Sequence, residues 1–90
     1  MLYKRTKRKN ARKAAILDVL ARANYALSYR QVAEAVGIRP VRQVARDLQR
    51  YARFGYVRRR RVAGRFRYSI TRRGRERLVF FTQPHERRGA

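Results

Sequence analysis

The side chains that could do chemistry in this sequence are almost all cationic. Of its 90 residues, 26 are Lys or Arg and five are Asp or Glu, which gives a net charge of +21. Arg outnumbers Lys by 22 to four, and a guanidinium donates paired hydrogen bonds to oxyanions such as phosphate. Charge of this size destabilises a compact domain unless a polyanion neutralises it. The composition therefore predicts a polyanionic partner: DNA, RNA or an anionic membrane.

Side chains that could catalyse a reaction are scarce. The sequence contains no Cys, and its single histidine, His85, lies beside Pro84 near the C-terminus. The five acidic residues are too scattered to form a carboxylate pair or a metal cluster, and the glycines do not form a phosphate-binding loop. The sequence therefore predicts a protein that is not an enzyme and that binds no cofactor and no metal.

The positive charge is concentrated in separate segments. Residues 1–13 carry +7, residues 14–37 carry no net charge, residues 38–55 carry +4 and residues 56–75 carry +9. A neutral block of 24 residues between basic segments indicates a binding surface rather than a generally soluble, basic protein.

The same distribution predicts the domain boundaries. We expect residues 1–10 to form a flexible basic arm, residues 11–82 to form one domain and residues 83–90 to form a tail. Basic arms become ordered along a groove of nucleic acid when they bind. The arm contributes five candidate contacts: Lys4, Arg5, Lys7, Arg8 and Lys9.

Apolar spacing and capping residues predict two helices in the first half of the domain. The first is expected over about residues 11–23, with Asn10 as its N-cap. The stretch Ser28-Tyr29-Arg30-Gln31 has the form of a capping box at the start of the second. Gly37 ends this second helix, since glycine is the usual residue just beyond a helix C-terminus.

A third helix follows at once, with Pro40 in its first turn and Gly55 at its end. Two helices separated by three residues must cross at a large angle, which predicts a helix-turn-helix. The residues expected to pack inward are Val41, Val44, Ala45, Leu48, Tyr51 and Ala52. The residues expected to face outward are Arg39, Arg42, Gln43, Arg46, Arg50 and Arg53, with Asp47 as the one opposing charge. Like charges stacked one turn apart destabilise a helix unless phosphates offset them.

After Gly55 the pattern changes from helical to alternating. Residues 56–62 and 65–70 are rich in β-forming types and flank Ala63-Gly64, which predicts a hairpin with a two-residue turn. In the second strand, alternation places Phe66, Tyr68 and Ile70 on one face and Arg65, Arg67 and Ser69 on the other. A short final helix is expected over about residues 72–80.

This order of elements resembles the winged helix-turn-helix family of DNA-binding domains. The resemblance covers roughly residues 11–80 and includes Gly55-Tyr56-Val57, the arginine-rich hairpin, and Thr71 followed three residues later by Gly74 and then by an apolar helix. It implies an α+β fold with a three-helix core, a two-stranded β-hairpin wing and a short C-terminal helix.

The resemblance also assigns roles to individual residues. The second helix of the turn would enter the major groove, where Arg39, Arg42, Gln43 and Arg46 would face base edges and Arg50 would lie nearer the backbone. Gln43 is the amide that would read adenine. The wing would contact phosphates or the minor groove through Arg58, Arg60, Arg61, Arg65 and Arg67.

The favoured function is therefore binding of duplex DNA, by a transcription regulator or a chromatin-type protein with weak sequence preference. The alternative is a ribosomal protein that binds structured ribosomal RNA, and a protein–protein adaptor is also open. The longest strongly apolar run, Leu78–Phe81, is far shorter than the roughly 20 residues that span a membrane, so a cytoplasmic protein is expected. Part of this run could form a homodimer contact through Leu78, Val79, Phe80 and Phe81.

Overall fold

The computed structural model describes the backbone of residues 2–82 and the side chains of residues 10–81. It contains four helices and one antiparallel hairpin, which confirms the α+β class and a winged helix-like layout. The predicted tail, residues 83–90, lies outside the described residues. The elements in chain order are α1 (Leu2–Arg22), α2 (Tyr29–Val36), α3 (Val41–Arg53), β1 (Val57–Val62), β2 (Arg65–Ile70) and α4 (Arg72–Thr82).

The first helix is longer than the sequence predicted. α1 begins at Leu2, so Asn10 lies inside the helix and the predicted cap at Asn10 is wrong. The predicted basic arm has a helical backbone over residues 2–10 and continues into the domain as part of α1. Residues 2–22 contain neither Gly nor Pro, and Lys and Arg have good helix propensity. A helix already stabilised by packing therefore propagates through the basic segment, because each added residue gains a hydrogen bond without a new nucleation step.

The second helix is fixed by its caps, as the sequence predicted. The Ser28 hydroxyl accepts from the Gln31 backbone N–H at 3.2 Å, and the Gln31 side-chain oxygen accepts from the Ser28 backbone N–H at 2.9 Å. Gly37 has a φ of 70°, in the left-handed region, and its N–H donates to Ala33 at 2.8 Å. Pro40 is the N-cap of α3 rather than a residue of its first turn.

The core lies where α1, α2 and α3 meet the root of the hairpin. Leu27 ties the hairpin to the helices, because it exchanges two backbone hydrogen bonds with Tyr68, at 2.9 and 2.7 Å. It acts as a one-residue third strand beside β2. The buried apolar residues are Ile16, Leu17 and Leu20 from α1, Val32 and Ala33 from α2, Val44, Leu48 and Tyr51 from α3, and Leu27, Val57 and Tyr68.

The hairpin has the predicted two-residue turn. Ala63 and Gly64 have φ angles of 52° and 79°, which is the pattern of a type I′ turn and matches the twist of the strands. Val57 pairs with Ile70 at the root, and Val62 pairs with Arg65 at the tip.

The apolar run in α4 is only partly taken up by the core. Leu78 packs against the core cluster, and Phe81 is half-buried beneath Lys13 and Arg77. Val79 and Phe80 are each 51% exposed. Self-association through this run stays a prediction. Among the helices formed by residues 2–82, none combines the length and apolar character needed to cross a membrane.

Thr71 and Gly74 form the junction between the hairpin and α4. The Thr71 hydroxyl donates to the Gly55 carbonyl at 2.6 Å, with the Tyr56 carbonyl at 3.0 Å, and accepts from the Gly74 N–H at 3.0 Å. Gly74 is buried, and a Cβ there would overlap the Tyr56 carbonyl oxygen and approach Ile70. Glycine is therefore required at this position by the close approach of two backbone segments.

We expect Gly74→Ala to lower the free energy of unfolding by about 2 kcal/mol, because the added methyl group must displace the backbone at Tyr56. For a domain of this size the midpoint of thermal unfolding should fall by roughly 10 °C. The matched control is Arg75→Ala, at an exposed neighbour on the same helix, which should change the midpoint little. Equal midpoints for the two variants would contradict the close approach.

Candidate nucleic-acid interface

α3 presents a cationic side to solvent. Val44, Asp47, Leu48 and Tyr51 are buried on its inner side. Val41, which was expected to pack inward, is 39% exposed; the packed side of α3 begins one turn later. The exposed polar residues of this segment are Arg39, Arg42, Arg46, Gln49, Arg50 and Arg53.

An ion pair buried under α3 joins it to α1. Asp47 is 1% exposed, and its Oδ2 lies 2.8 Å from Nε of Arg12. The other carboxylate oxygen accepts from Arg12 Nη2 at 3.4 Å and from the Gln43 amide at 3.1 Å. Asp47 was placed on the outward face by the sequence pattern, and the structure corrects this placement. The carboxylate that opposes the arginines of α3 therefore lies on the buried side of the helix.

The amide of Gln43, which the sequence predicted would read adenine, is engaged within the domain. Its amide nitrogen donates to Asp47 at 3.1 Å, and the side chain is half-buried. A bidentate pair with adenine uses both the nitrogen and the oxygen of an amide on the outer side of a helix. Gln43 instead lies one turn before Asp47, where it helps to satisfy the buried carboxylate.

The pleat of the hairpin divides its arginines between two faces. Arg59 pairs with Tyr68 and Arg61 pairs with Phe66, so both lie on the face whose root is buried in the core. Arg60 lies directly opposite Arg67 on the other face. The wing residues that the sequence assigned as contacts, Arg58, Arg60, Arg61, Arg65 and Arg67, therefore do not share one face. The four on the outer face are Arg58, Arg60, Arg65 and Arg67.

Two depressions lie between the helices and the hairpin. The larger, which we call the wing groove, encloses about 490 Å³. The smaller, the helix–ribbon cleft, encloses about 440 Å³ and is lined by Gln49, Ala52, Arg53 and Arg59. Gln49 lines both depressions and so marks the line along which α3 and the hairpin meet. The wing groove is lined by Ser28, Tyr29, Arg30, Ala45, Gln49, Gly64, Arg65, Phe66 and Tyr68.

Sequence reasoning passed over three residues of this surface. Gln49 and Arg59 were not chosen as site residues, and Arg53 was placed outward without a role. The spacing of Arg42, Arg46, Gln49 and Arg53 at i, i+4, i+7 and i+11 is a helical stripe, and this signal could have found Gln49. The face of the hairpin on which Arg59 lies could not be predicted from the sequence. Four consecutive arginines show no alternation of polar and apolar residues from which a face can be assigned.

Phe66 orients the arginines of the inner hairpin face. The guanidinium of Arg59 lies 4.3 Å from the centroid of the Phe66 ring, and that of Arg61 lies at 5.3 Å. Stacking of this kind holds a guanidinium in a defined plane and lowers the entropy lost when it binds an anion. The inner face therefore presents two arginines that are partly ordered before any ligand arrives.

Lys13 is held inside the domain by three aromatic rings. Its Nζ lies 5.5 to 5.6 Å from the ring centroids of Tyr51, Tyr56 and Phe81. Burial, reinforced by the charges of Arg77 and Arg50, lowers the pKa of Lys13. Lys13 therefore connects α1 to α3 and α4, and its side chain is only partly exposed to solvent.

Comparison with known proteins adds no assignment to this geometry. No protein-family model matches the chain, and a search of the curated proteins finds no similar sequence.

We expect Asp47→Asn to lower the free energy of unfolding by about 2 kcal/mol, because the buried side chain loses its charged hydrogen bonds with Arg12, which is itself 29% exposed. The measurement is equilibrium unfolding in urea. The matched control is Asp18→Asn, since Asp18 forms an exposed pair with Arg22 at 3.0 Å and such pairs contribute less than about 1 kcal/mol. If both substitutions cost the same, the buried pair does not have the role assigned to it.

A second prediction concerns high pH. Burial raises the pKa of Tyr51, and the charge of Asp47 raises it further. A tyrosine whose folded pKa is raised stabilises the fold fully below its unfolded pKa of about 10, and this contribution is lost as pH rises. The free energy of unfolding should therefore fall between about pH 10 and 11, and fall less in Tyr51→Phe. Tyr25→Phe, at a side chain that is 69% exposed, is the control and should leave the slope unchanged; equal slopes in all three proteins would refute the effect.

Proposed function

We propose that this protein binds duplex DNA as a member of the winged helix-turn-helix family, with α3 along the major groove and the hairpin against neighbouring phosphates. The observation that carries the proposal is the exposed stripe on α3 that ends beside the inner hairpin face. Arg42, Arg46, Gln49 and Arg53 follow this stripe, and Arg59 adjoins its end in the helix–ribbon cleft.

The dimensions of α3 support this placement. Its 13 residues span about 20 Å at 1.5 Å per residue. The major groove of B-form DNA is about 12 Å wide and admits one helix. The groove of A-form RNA is too narrow and deep for side chains of a helix to read. The exposed stripe on one side of α3 therefore favours DNA over double-stranded RNA.

The hairpin would add phosphate contacts beside the helix. Arg59 and Arg61 stack on Phe66, and guanidiniums held in a plane suit the paired oxygens of a phosphate. Arg30 is exposed at the start of α2, on the other wall of the wing groove. The duplex would thus meet cations from α2, α3 and the hairpin.

The chemistry of the stripe favours binding with weak sequence preference. Arginine pairs with phosphate as readily as with guanine, and Gln49 is the amide on the stripe. If about eight phosphates are neutralised, the logarithm of the binding constant should fall with the logarithm of salt concentration at a slope near −7. Such binding suits a nucleoid-associated protein of the cytoplasm, either of a chromatin type or a regulator.

The proposal can be tested with two variants that remove equal charge from different faces. Arg46→Gln with Arg59→Gln removes two cations from the stripe and the inner hairpin face. Arg58→Gln with Arg67→Gln removes two from the outer hairpin face. We expect the first pair to weaken binding to a 30-base-pair duplex by roughly 30-fold, and the second by only a few-fold, because direct contacts add to the loss of net charge.

Fluorescence anisotropy at 150 mM salt measures both affinities. Equal losses for the two variants would show that net charge alone governs binding and would overturn the assigned interface. Duplex RNA of the same sequence is the competitor that separates DNA from RNA. Preferential retention on RNA, or co-sedimentation with ribosomal subunits, would replace the DNA proposal by the ribosomal one.

A further inference from the structure

We propose that the wing groove is a binding pocket for one unpaired base. A duplex that carries an extrahelical nucleotide would then bind more tightly than a continuous duplex of the same sequence. This inference rests on the proposed binding of duplex DNA and adds a ligand to the groove that lies beside the α3 stripe and shares Gln49 with it.

The size and walls of the wing groove fit a planar ligand. Its volume of about 490 Å³ lies within the range of roughly 300–1,000 Å³ found for small-molecule sites. Tyr29 and Phe66 supply aromatic surface, and Phe66 is 39% exposed. Ala45 and Gly64 are small and leave room between these walls. Every base has a π-face, so stacking on such walls is favourable and tolerant of sequence.

Polar groups around the wing groove suit the remaining parts of a nucleotide. Gln49 is exposed on α3 and lines the groove; its amide carries both a donor and an acceptor for the edge of a base. Arg30 and Arg65 are exposed and also line the groove. None of its nine lining residues is acidic, so charge complementarity favours an anionic ligand that carries a ring.

Arg30 contacts the side chain of Tyr29, which forms one wall of the wing groove. The guanidinium of Arg30 lies 5.9 Å from the centroid of the Tyr29 ring, and its Nε donates to the Tyr29 hydroxyl at 3.4 Å. The opposite wall is held by the stacking of Arg59 and Arg61 on Phe66. The lining of the groove therefore pairs an aromatic ring with an arginine twice, Tyr29 with Arg30 and Phe66 with Arg65, which is the combination that binds unstacked nucleotides through stacking and cation–π contacts.

The position of the wing groove explains how a base could reach it. Gln49 lies on the α3 stripe and also lines the groove, so a duplex bound along α3 passes the mouth of the groove. A paired base cannot enter without leaving its stack, which costs a few kcal/mol. An extrahelical base has already left the stack, so the pocket selects for duplexes with an unpaired nucleotide.

The test compares three DNA duplexes that share one sequence: one continuous, one with a single extrahelical thymine, and one with an abasic residue at the same extrahelical position. We expect the thymine bulge to bind about tenfold more tightly than the other two, which is the effect of one base–aromatic stack. If the continuous duplex binds and the bulge gives no gain, the pocket is refuted while the proposed DNA binding stands. An equal gain from the abasic bulge would assign the preference to a more flexible duplex and would also refute the pocket.

Phe66→Leu tests the wall, because leucine keeps apolar contact but removes the ring. We expect the ratio of bulged to continuous affinity to fall towards one in Phe66→Leu and to be kept in the Arg58→Gln, Arg67→Gln variant. As a second measurement, 2-aminopurine replaces the extrahelical thymine, and stacking in the wild-type protein should quench its fluorescence. Unquenched fluorescence in the bound complex would overturn the proposal independently of any variant.

Discussion

The arrangement of this domain depends on one buried carboxylate. Among the side chains at positions 10–81, the buried charged residue is Asp47 of α3. Its carboxylate forms an ion pair with Arg12 of α1 and accepts a hydrogen bond from the Gln43 amide. Both helices are otherwise strongly basic, so like charges would drive them apart. A single negative charge in a weakly screened interior is strong enough to offset part of that repulsion. This contact and the packing of Val44, Leu48 and Tyr51 fix the buried side of α3, and the exposed stripe lies away from it.

Features set by neighbouring residues could be predicted from the sequence, and features set by distant partners could not. The capping box at Ser28 and the turn at Ala63-Gly64 depend on residues within three or four positions, and both are as expected. The roles of Asp47 and Gln43 depend on Arg12, 35 residues away from Asp47, and no local pattern reveals that pairing. The start of α1 was missed because a run of basic residues resembles a disordered arm, although each of those residues tolerates a helix.

The candidate site shows the same division. Helical spacing identified the basic side of α3, yet the amide that faces outward is Gln49 rather than Gln43. The alternation of residue types predicted the two faces of β2 correctly. The four arginines of β1 could be assigned to faces only once the pairing of β1 with β2 was known. The surface has two unlike parts: an arginine stripe, which we propose contacts a regular duplex, and an aromatic groove, which we propose accepts an unpaired base.

The direct opposition of Arg60 and Arg67 has a consequence for the unbound protein. Two guanidiniums across one rung of a ribbon repel each other, and mobile anions that gather beside them weaken this repulsion. The order of the outer hairpin face should therefore increase with ionic strength.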